Sequence, residues 1–280
     1  MPNSYKIKLS SFNQEGLKDV IQILETVFQK FDVDFYLIGA LAKDMWLSKE
    51  KVQSRATKDV DLAVFVSESD AYENIKSTLI KEHNFKEVST NAFALLTPYG
   101  YPVDLLPFGS VEIDEAVEIE GDGLTKVHVN GFKEIYQQGI APVLTDEGIT
   151  FKIASLASII LLKLIAFDDR PERRTQDIKD IALILDHYFH IESNEIYNHH
   201  NDLFGNEDYE LIDIAAIVIG REMQSVLSSN KLLQDRILNI LSLSERHHKK
   251  IPTLMAQSEN FTIDQATLLL KKIAEGIGQL

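Results

Sequence analysis

Two aspartates, Asp59 and Asp61, stand two residues apart at the head of an apolar run, Val60-Asp61-Leu62-Ala63-Val64-Phe65-Val66. A short apolar run of this kind favours a buried strand. Side chains alternate faces along a strand, so Asp59 and Asp61 point one way while Val60 and Leu62 point into a core. Like charges held side by side repel unless something positive lies between them. A divalent metal with oxygen ligands, often Mg²⁺ shared with substrate phosphates, is the usual answer. A strand end whose carboxylates merely face water is the plainer alternative.

Other residues add to the pair. Asp104 is a single carboxylate inside the apolar stretch Tyr101-Pro102-Val103-Asp104-Leu105-Leu106. Burying it unpaired is costly, which asks for a positive partner. A neighbouring strand would bring it beside Asp59 and Asp61, and three carboxylates would then converge on a two-metal site. Gly39 follows Phe35-Tyr36-Leu37-Ile38 and precedes a helix-like segment. Glycine there lets backbone amides approach a ligand, and a helix N-terminus favours anions such as phosphate. Lys163 interrupts the apolar helix Leu161-Leu162-Lys163-Leu164-Ile165. It either snorkels to the surface along its own stem or aims a charge at phosphate. Arg170 lies seven residues on, on the same helical face, and Asp177 and Asp180 begin the next helix.

These residues need a frame. Residues 13–30 read as an amphipathic helix, with Leu17, Val20, Ile21, Leu24 and Phe28 on one stripe. A strand at 35–38, a helix at 40–47 and a polar loop at 48–58 lead into the Asp strand. A helix over 69–83 and strands at 84–88, 93–97 and 101–106 follow. Residues 112–122 are strongly acidic and read as an exposed excursion ending in Gly121-Asp122-Gly123. Short strand pieces and one helix fill 125–152. Helical periodicity then runs through 155–169, 175–189, 208–227, 229–243 and 262–277, with Pro171 breaking the first pair. The expected architecture is α+β: a small mixed sheet with helices on one face over residues 1–150, then a helical domain over 151–280 that contributes Lys163 to the active site.

The ordered set Gly39, Thr57-Lys58-Asp59-Val60-Asp61, Asp104, Lys163, Arg170 and Asp177-Ile178-Lys179-Asp180 resembles the DNA polymerase β-type nucleotidyltransferase superfamily. Within it the chain is most similar to the AbiEii/AbiGii-type nucleotidyltransferases, toxins of type IV toxin–antitoxin systems. Arg55-Ala56-Thr57-Lys58-Asp59-Val60-Asp61 resembles their approach to the Asp pair. Gly39-Ala40-Leu41-Ala42-Lys43-Asp44 is similar to the start of CCA-adding enzymes, and aminoglycoside and lincosamide nucleotidyltransferases share the layout. The resemblance covers about residues 20–190. One departure stands out: the family carries Gly-Ser or Gly-Gly at the turn, and this chain has Gly39-Ala40, without the hydroxyl.

The resemblance implies attack on the α-phosphate of a nucleoside triphosphate by an acceptor hydroxyl, with pyrophosphate released. It makes Asp59, Asp61 and Asp104 ligands of two Mg²⁺ ions, with Mn²⁺ an alternative, and Asp104 the group that serves or orients a general base. Gly39 and Ala40 would cradle the triphosphate, Lys163 would neutralise it, and Arg55 and Arg170 would touch phosphate. Asp177 would hold Lys163 or meet the acceptor. Three acceptors stay open: RNA such as the 3′ end of a tRNA, a small molecule such as an antibiotic, or a protein hydroxyl. A decayed nucleotide-binding module is the non-enzymatic alternative, and a cognate antitoxin is an expected partner.

Composition narrows the rest. The chain has 280 residues and no cysteine, which excludes disulfides, thiolate catalysis and cysteine zinc sites and makes the cytoplasm the natural compartment. The first residues lack an apolar signal core, and no apolar run is long enough to span a bilayer. The net charge of −15 disfavours non-specific nucleic-acid binding. The basic clusters Arg170-Arg173-Arg174 and Arg246-His247-His248-Lys249-Lys250 leave room for an RNA end. Adjacent histidines such as His199-His200 diverge around a helix and make poor chelates. Ser155 and Ser158 have no His/Asp partners for hydrolase chemistry.

Overall fold

A computed structural model describes residues 5–12, 14–52, 59–243, 249–257 and 260–278. The chain divides into two compact units: Met1–Met45, Ser54–Tyr136 and Ile140–Ala154 form unit 1, and Trp46–Gln53, Gln137–Gly139 and Ser155–Leu280 form unit 2. Arg55 and Arg246, His247 and His248 lie outside the described residues.

Unit 1 holds β1 (Tyr5–Ile7), α1 (Leu17–Lys30), β2 (Asp34–Ile38), the start of α2 (Gly39–Leu47), β3 (Val60–Val66), α3 (Ser69–His83), β4 (Lys86–Glu87), β5 (Ala94–Leu96), β6 (Pro102–Gly109), β7 (Ala116–Glu118), β8 (Lys126–His128), the start of α4 (Phe132–Gln138), β9 (Ile140–Thr145) and β10 (Thr150–Ala154). Eight strands form a mixed sheet in the order β1-β9-β10-β2-β3-β6-β5-β4. At its centre β3 and β6 run parallel, with β2 antiparallel to β3 on one side and β5 antiparallel to β6 on the other. The apolar runs explain that placement: Val60, Leu62, Ala63, Val64, Val66, Val103 and Leu105 are all buried. A parallel pair needs a long crossover, and α3 supplies it. The apolar stripe of α1 is buried, and α1 and α3 pack on each other and on β2 and β3.

The acidic stretch departs from expectation. It is not simply an exposed excursion: Ala116–Glu118 forms β7 and pairs antiparallel with β8, and Ala116 and Val117 are buried. Those two apolar residues, one to each side of the strand, are what a count of charges hides. β1 is a further strand the sequence pattern does not announce; at three residues it is too short for alternation to register.

Unit 2 is helical: α5 (Leu156–Asp169), α6 (Thr175–Ile191), α7 (Ser193–His199), α8 (Leu211–Leu227), α9 (Lys231–Leu241), α10 (Lys250–Ala256) and α11 (Ile263–Gly278). The short α7 and α10 fall below the length at which periodicity is legible. Ser155 caps α5, its Oγ accepting from Ser158 N at 3.2 Å, while Ser158 Oγ donates to Gly139 O at 2.9 Å. α8 and α11 cross in backbone contact, because a Cβ on Gly220 or Gly276 would overlap the opposite helix. Among the described residues no helix is long and apolar enough to cross a membrane.

Candidate active site

Register brings the carboxylates of unit 1 together. β3 and β6 pair so that Asp61 stands opposite Asp104. Both side chains are half-buried, whereas their strand neighbours Val60, Leu62, Val103 and Leu105 point into the core. Like charges directly opposite each other destabilise a sheet, so an arrangement of this kind asks for a use. Asp59 sits just before the first residue of β3 and is exposed. Among the described residues, no group of three His, Asp or Glu side chains is gathered closely enough to hold a metal ion. Of the three carboxylates, Asp61 and Asp104 form the registered pair, and Asp59 stands two residues before Asp61.

Gly39 closes over that pair. It follows β2, whose Ile38 is in register with Asp61, and it opens α2 with φ +71°. A Cβ at this position would overlap Asp61 Oδ2. Glycine is required twice here, once for the left-handed backbone and once for the room that the carboxylate takes. The first backbone amides of α2, from Gly39 and Ala40 onward, belong to a helix N-terminus, a natural anion site. Asp104 is held from the other side: Asn91 Nδ2 donates to its Oδ1 at 3.3 Å.

Unit 2 builds a second cluster. Lys163 on α5 is only 7% exposed, and its Nζ lies 2.8 Å from Asp177 Oδ1 and 2.7 Å from Asp180 Oδ2 on α6. Burial alone would push its pKa down, but the two carboxylates outweigh burial and hold it above the ordinary lysine value. Lys163 does not snorkel; it is buried between the two carboxylates of α6. Asp180 is the partner that sequence reasoning left without a role. The Asp177/Asp180 spacing of three was the available signal, since i and i+3 share a helix face. Arg170 directly follows the last residue of α5, Asp169, as its exposed C-cap with φ −140° and its N–H donating to Ala166 O.

The structure therefore brings together Asp61, Asp104 and Gly39 in unit 1, and Lys163 and Asp177 in unit 2. Asp61 and Asp104 are hard oxygen donors on adjacent strands, a donor pair that fits Mg²⁺ or Mn²⁺.

A family model described as "Nucleotidyl transferase AbiEii toxin, Type IV TA system" matches residues 22–224. Among solved structures the chain is similar to the antibiotic-resistance factor ANT(2'')-Ia, at 14% identity over 86% of this chain and 90% of that one, with a TM-score of 0.33. It is also similar to a CCA-adding enzyme solved with CTP, at 15% identity over 88% of this chain and 52% of that one, with a TM-score of 0.36. No curated protein matches the chain.

Proposed function

The chain belongs to the AbiEii nucleotidyl transferase toxin family of type IV toxin–antitoxin systems, and from that premise we propose the reaction and the roles of its residues. It is a nucleotidyltransferase, so the reaction moves a nucleoside monophosphate from a nucleoside triphosphate to an acceptor. The acceptor oxygen forms a bond to the α-phosphorus, the bond from that phosphorus to the bridging oxygen breaks, and pyrophosphate leaves. The observation that carries this reading is the in-register pair Asp61 and Asp104 with Gly39 packed over Asp61.

Asp61 and Asp104 would hold Mg²⁺, or Mn²⁺ in its place, with Asp59 a third carboxylate at the mouth of β3. Such an ion, when bound, supplies charge neutralisation for the triphosphate and a lower pKa for the acceptor hydroxyl. Asp104 accepts the acceptor's proton or orients the group that does. The amides of Gly39 and Ala40 receive phosphate oxygens at the start of α2; with Ala40 in place of serine, that contact is made by backbone alone. Lys163, held charged by Asp177 and Asp180, is assigned the neutralisation of the triphosphate. Arg55 and Arg170 are assigned phosphate contacts. The preferred acceptor is RNA, with a tRNA end the leading form, acting in the cytoplasm and countered by a cognate antitoxin.

Incubation with α-³²P-labelled nucleoside triphosphates, Mg²⁺ and cell extract tests both halves of the proposal. Label in the RNA fraction is the expected result, and label on protein or in the small-molecule fraction replaces RNA with that acceptor. Asp61→Ala with Asp104→Ala should abolish labelling; wild-type labelling by that double variant would remove the site.

A further inference from the structure

Asn91 lies in the link between β4 and β5, beside neither Gly39 nor the Asp59/Asp61 run in sequence. Its side chain has two bonds of opposite sense. Phe93 N donates to Asn91 Oδ1 at 3.0 Å, and Asn91 Nδ2 donates to Asp104 Oδ1 at 3.3 Å. The first bond settles which way the amide faces: the oxygen is taken by a backbone N–H, so the NH₂ group is the one turned to the carboxylate.

The link itself is clamped. Ala92 N donates to Leu124 O and Leu124 N donates to Thr90 O, both at 3.0 Å, so residues 90–92 pair with the turn between β7 and β8. Lys76 Nζ donates to Ala92 O at 3.1 Å. Gly123 makes the clamp close, at φ +75°, where a Cβ would overlap the backbone of Thr90. The acidic stretch thereby acquires a mechanical purpose. It carries the turn that fixes the backbone bearing Asn91.

We propose that Asn91 is a positioning residue for Asp104: it holds the carboxylate in one orientation and is itself braced by the turn containing Gly123 and Leu124. The inference rests on the role given to Asp104 above.

Asn91→Asp tests this with little change of shape. The new oxygen still accepts from Phe93 N, but the group facing Asp104 becomes a like charge. Transfer of label from α-³²P nucleoside triphosphates to extract RNA is measured against wild type as kcat and KM for the triphosphate. The expected loss is about 100-fold in kcat, with KM and Tm close to wild type. Asn91→Ser keeps a turn-forming oxygen and shortens the reach to Asp104. It should lower kcat about 10-fold while leaving KM for the triphosphate unchanged. A loss of transfer matched by a lower Tm in both variants would make Asn91 merely structural and overturn the proposal, as would wild-type transfer by both variants. Asp104→Asn is run in parallel. If it transfers label normally, the role of Asp104 falls; if it is inactive while both Asn91 variants transfer label like wild type, only the inference about Asn91 falls.

Discussion

In unit 1, Asp61 and Asp104 stand in register on neighbouring parallel strands, both half-buried. In unit 2, Asp177 and Asp180 flank the ammonium of Lys163 and the trio is largely out of water. One cluster gathers like charges and the other gathers opposite ones. The first arrangement works against folding, by about 0.2–1 kcal/mol for like charges directly opposite in a sheet. The second holds together only as a set. Removing one member of a buried ion cluster costs about 3–5 kcal/mol, because the remaining charges stay behind unpaired. The two clusters should therefore respond to mutation with opposite signs of stability change, even where both are needed for transfer.

The widest separation should come from Asp61→Asn or Asp104→Asn set against Lys163→Met. Each Asp→Asn change should lower transfer by about 1,000-fold or more. The same change should leave Tm unchanged or raise it by about 1–3 °C, since repulsion is relieved. Lys163→Met should lose transfer and also drop Tm by about 10 °C, the equivalent of several kcal/mol in a chain of this size. Adding Asp177→Asn and Asp180→Asn to Lys163→Met should recover most of that Tm without recovering transfer. Calorimetry beside the labelling assay checks all four. A large fall in Tm for Asp61→Asn would erase the contrast.

Gly39→Ala gives a smaller effect and probes the unit 1 pair by crowding rather than by charge. The left-handed backbone alone costs a non-glycine residue about 1–2 kcal/mol. The added Cβ would also displace the Asp61 carboxylate, and a shift of that order costs about 100-fold in a positioned reaction. The expected outcome is a transfer defect of about 10- to 100-fold with a modest fall in Tm. A larger loss of Tm than in Lys163→Met would mean that Gly39 serves the fold before the site.

The comparison also explains what could be read from sequence. Strands announce themselves by apolar runs, so β3 and β6 and their carboxylates were legible. The register that sets Asp61 against Asp104 was not, because register depends on partners far away in the chain. Asp59 shows the difference: alternation puts it on the same face as Asp61, yet β3 begins one residue later, at Val60. Lys163 was legible as an anomaly in an apolar helix. Its two partners come from a different helix: their spacing of three was legible, but that both reach the ammonium shows only in the packing of α5 on α6. The end of α5 at Asp169 was legible from the break before Pro171, and Arg170 stands there as its C-cap. Asn91 carries no sequence signal, since its work depends on a turn more than thirty residues later, at Leu124.

Another carboxylate in unit 2, remote in role from transfer, measures the cost of the opposite choice to that made at Lys163. Glu222 on α8 accepts a hydrogen bond from the Tyr188 hydroxyl at 2.6 Å. Burial pushes its pKa up to about 7, the Tyr188 bond opposes the rise, and repulsion from Glu192 and Glu195 adds to it. A carboxyl raised in this way holds its proton in the folded state while the unfolded chain releases it. Stability is therefore highest below the unfolded value near 4.5, falls as pH rises toward 7, and levels off above that. The full swing is on the order of 3 kcal/mol for a shift of this size. Glu222→Gln keeps an oxygen for Tyr188 and removes the titration. It should raise Tm at pH 8 relative to wild type, by a margin that vanishes near pH 4.5, with transfer unchanged. Thermal melts of both proteins at several pH values measure the margin directly. A margin independent of pH would show that Glu222 is ionised throughout, and that unit 2 tolerates a buried carboxylate without the cation that Asp177 and Asp180 obtain from Lys163.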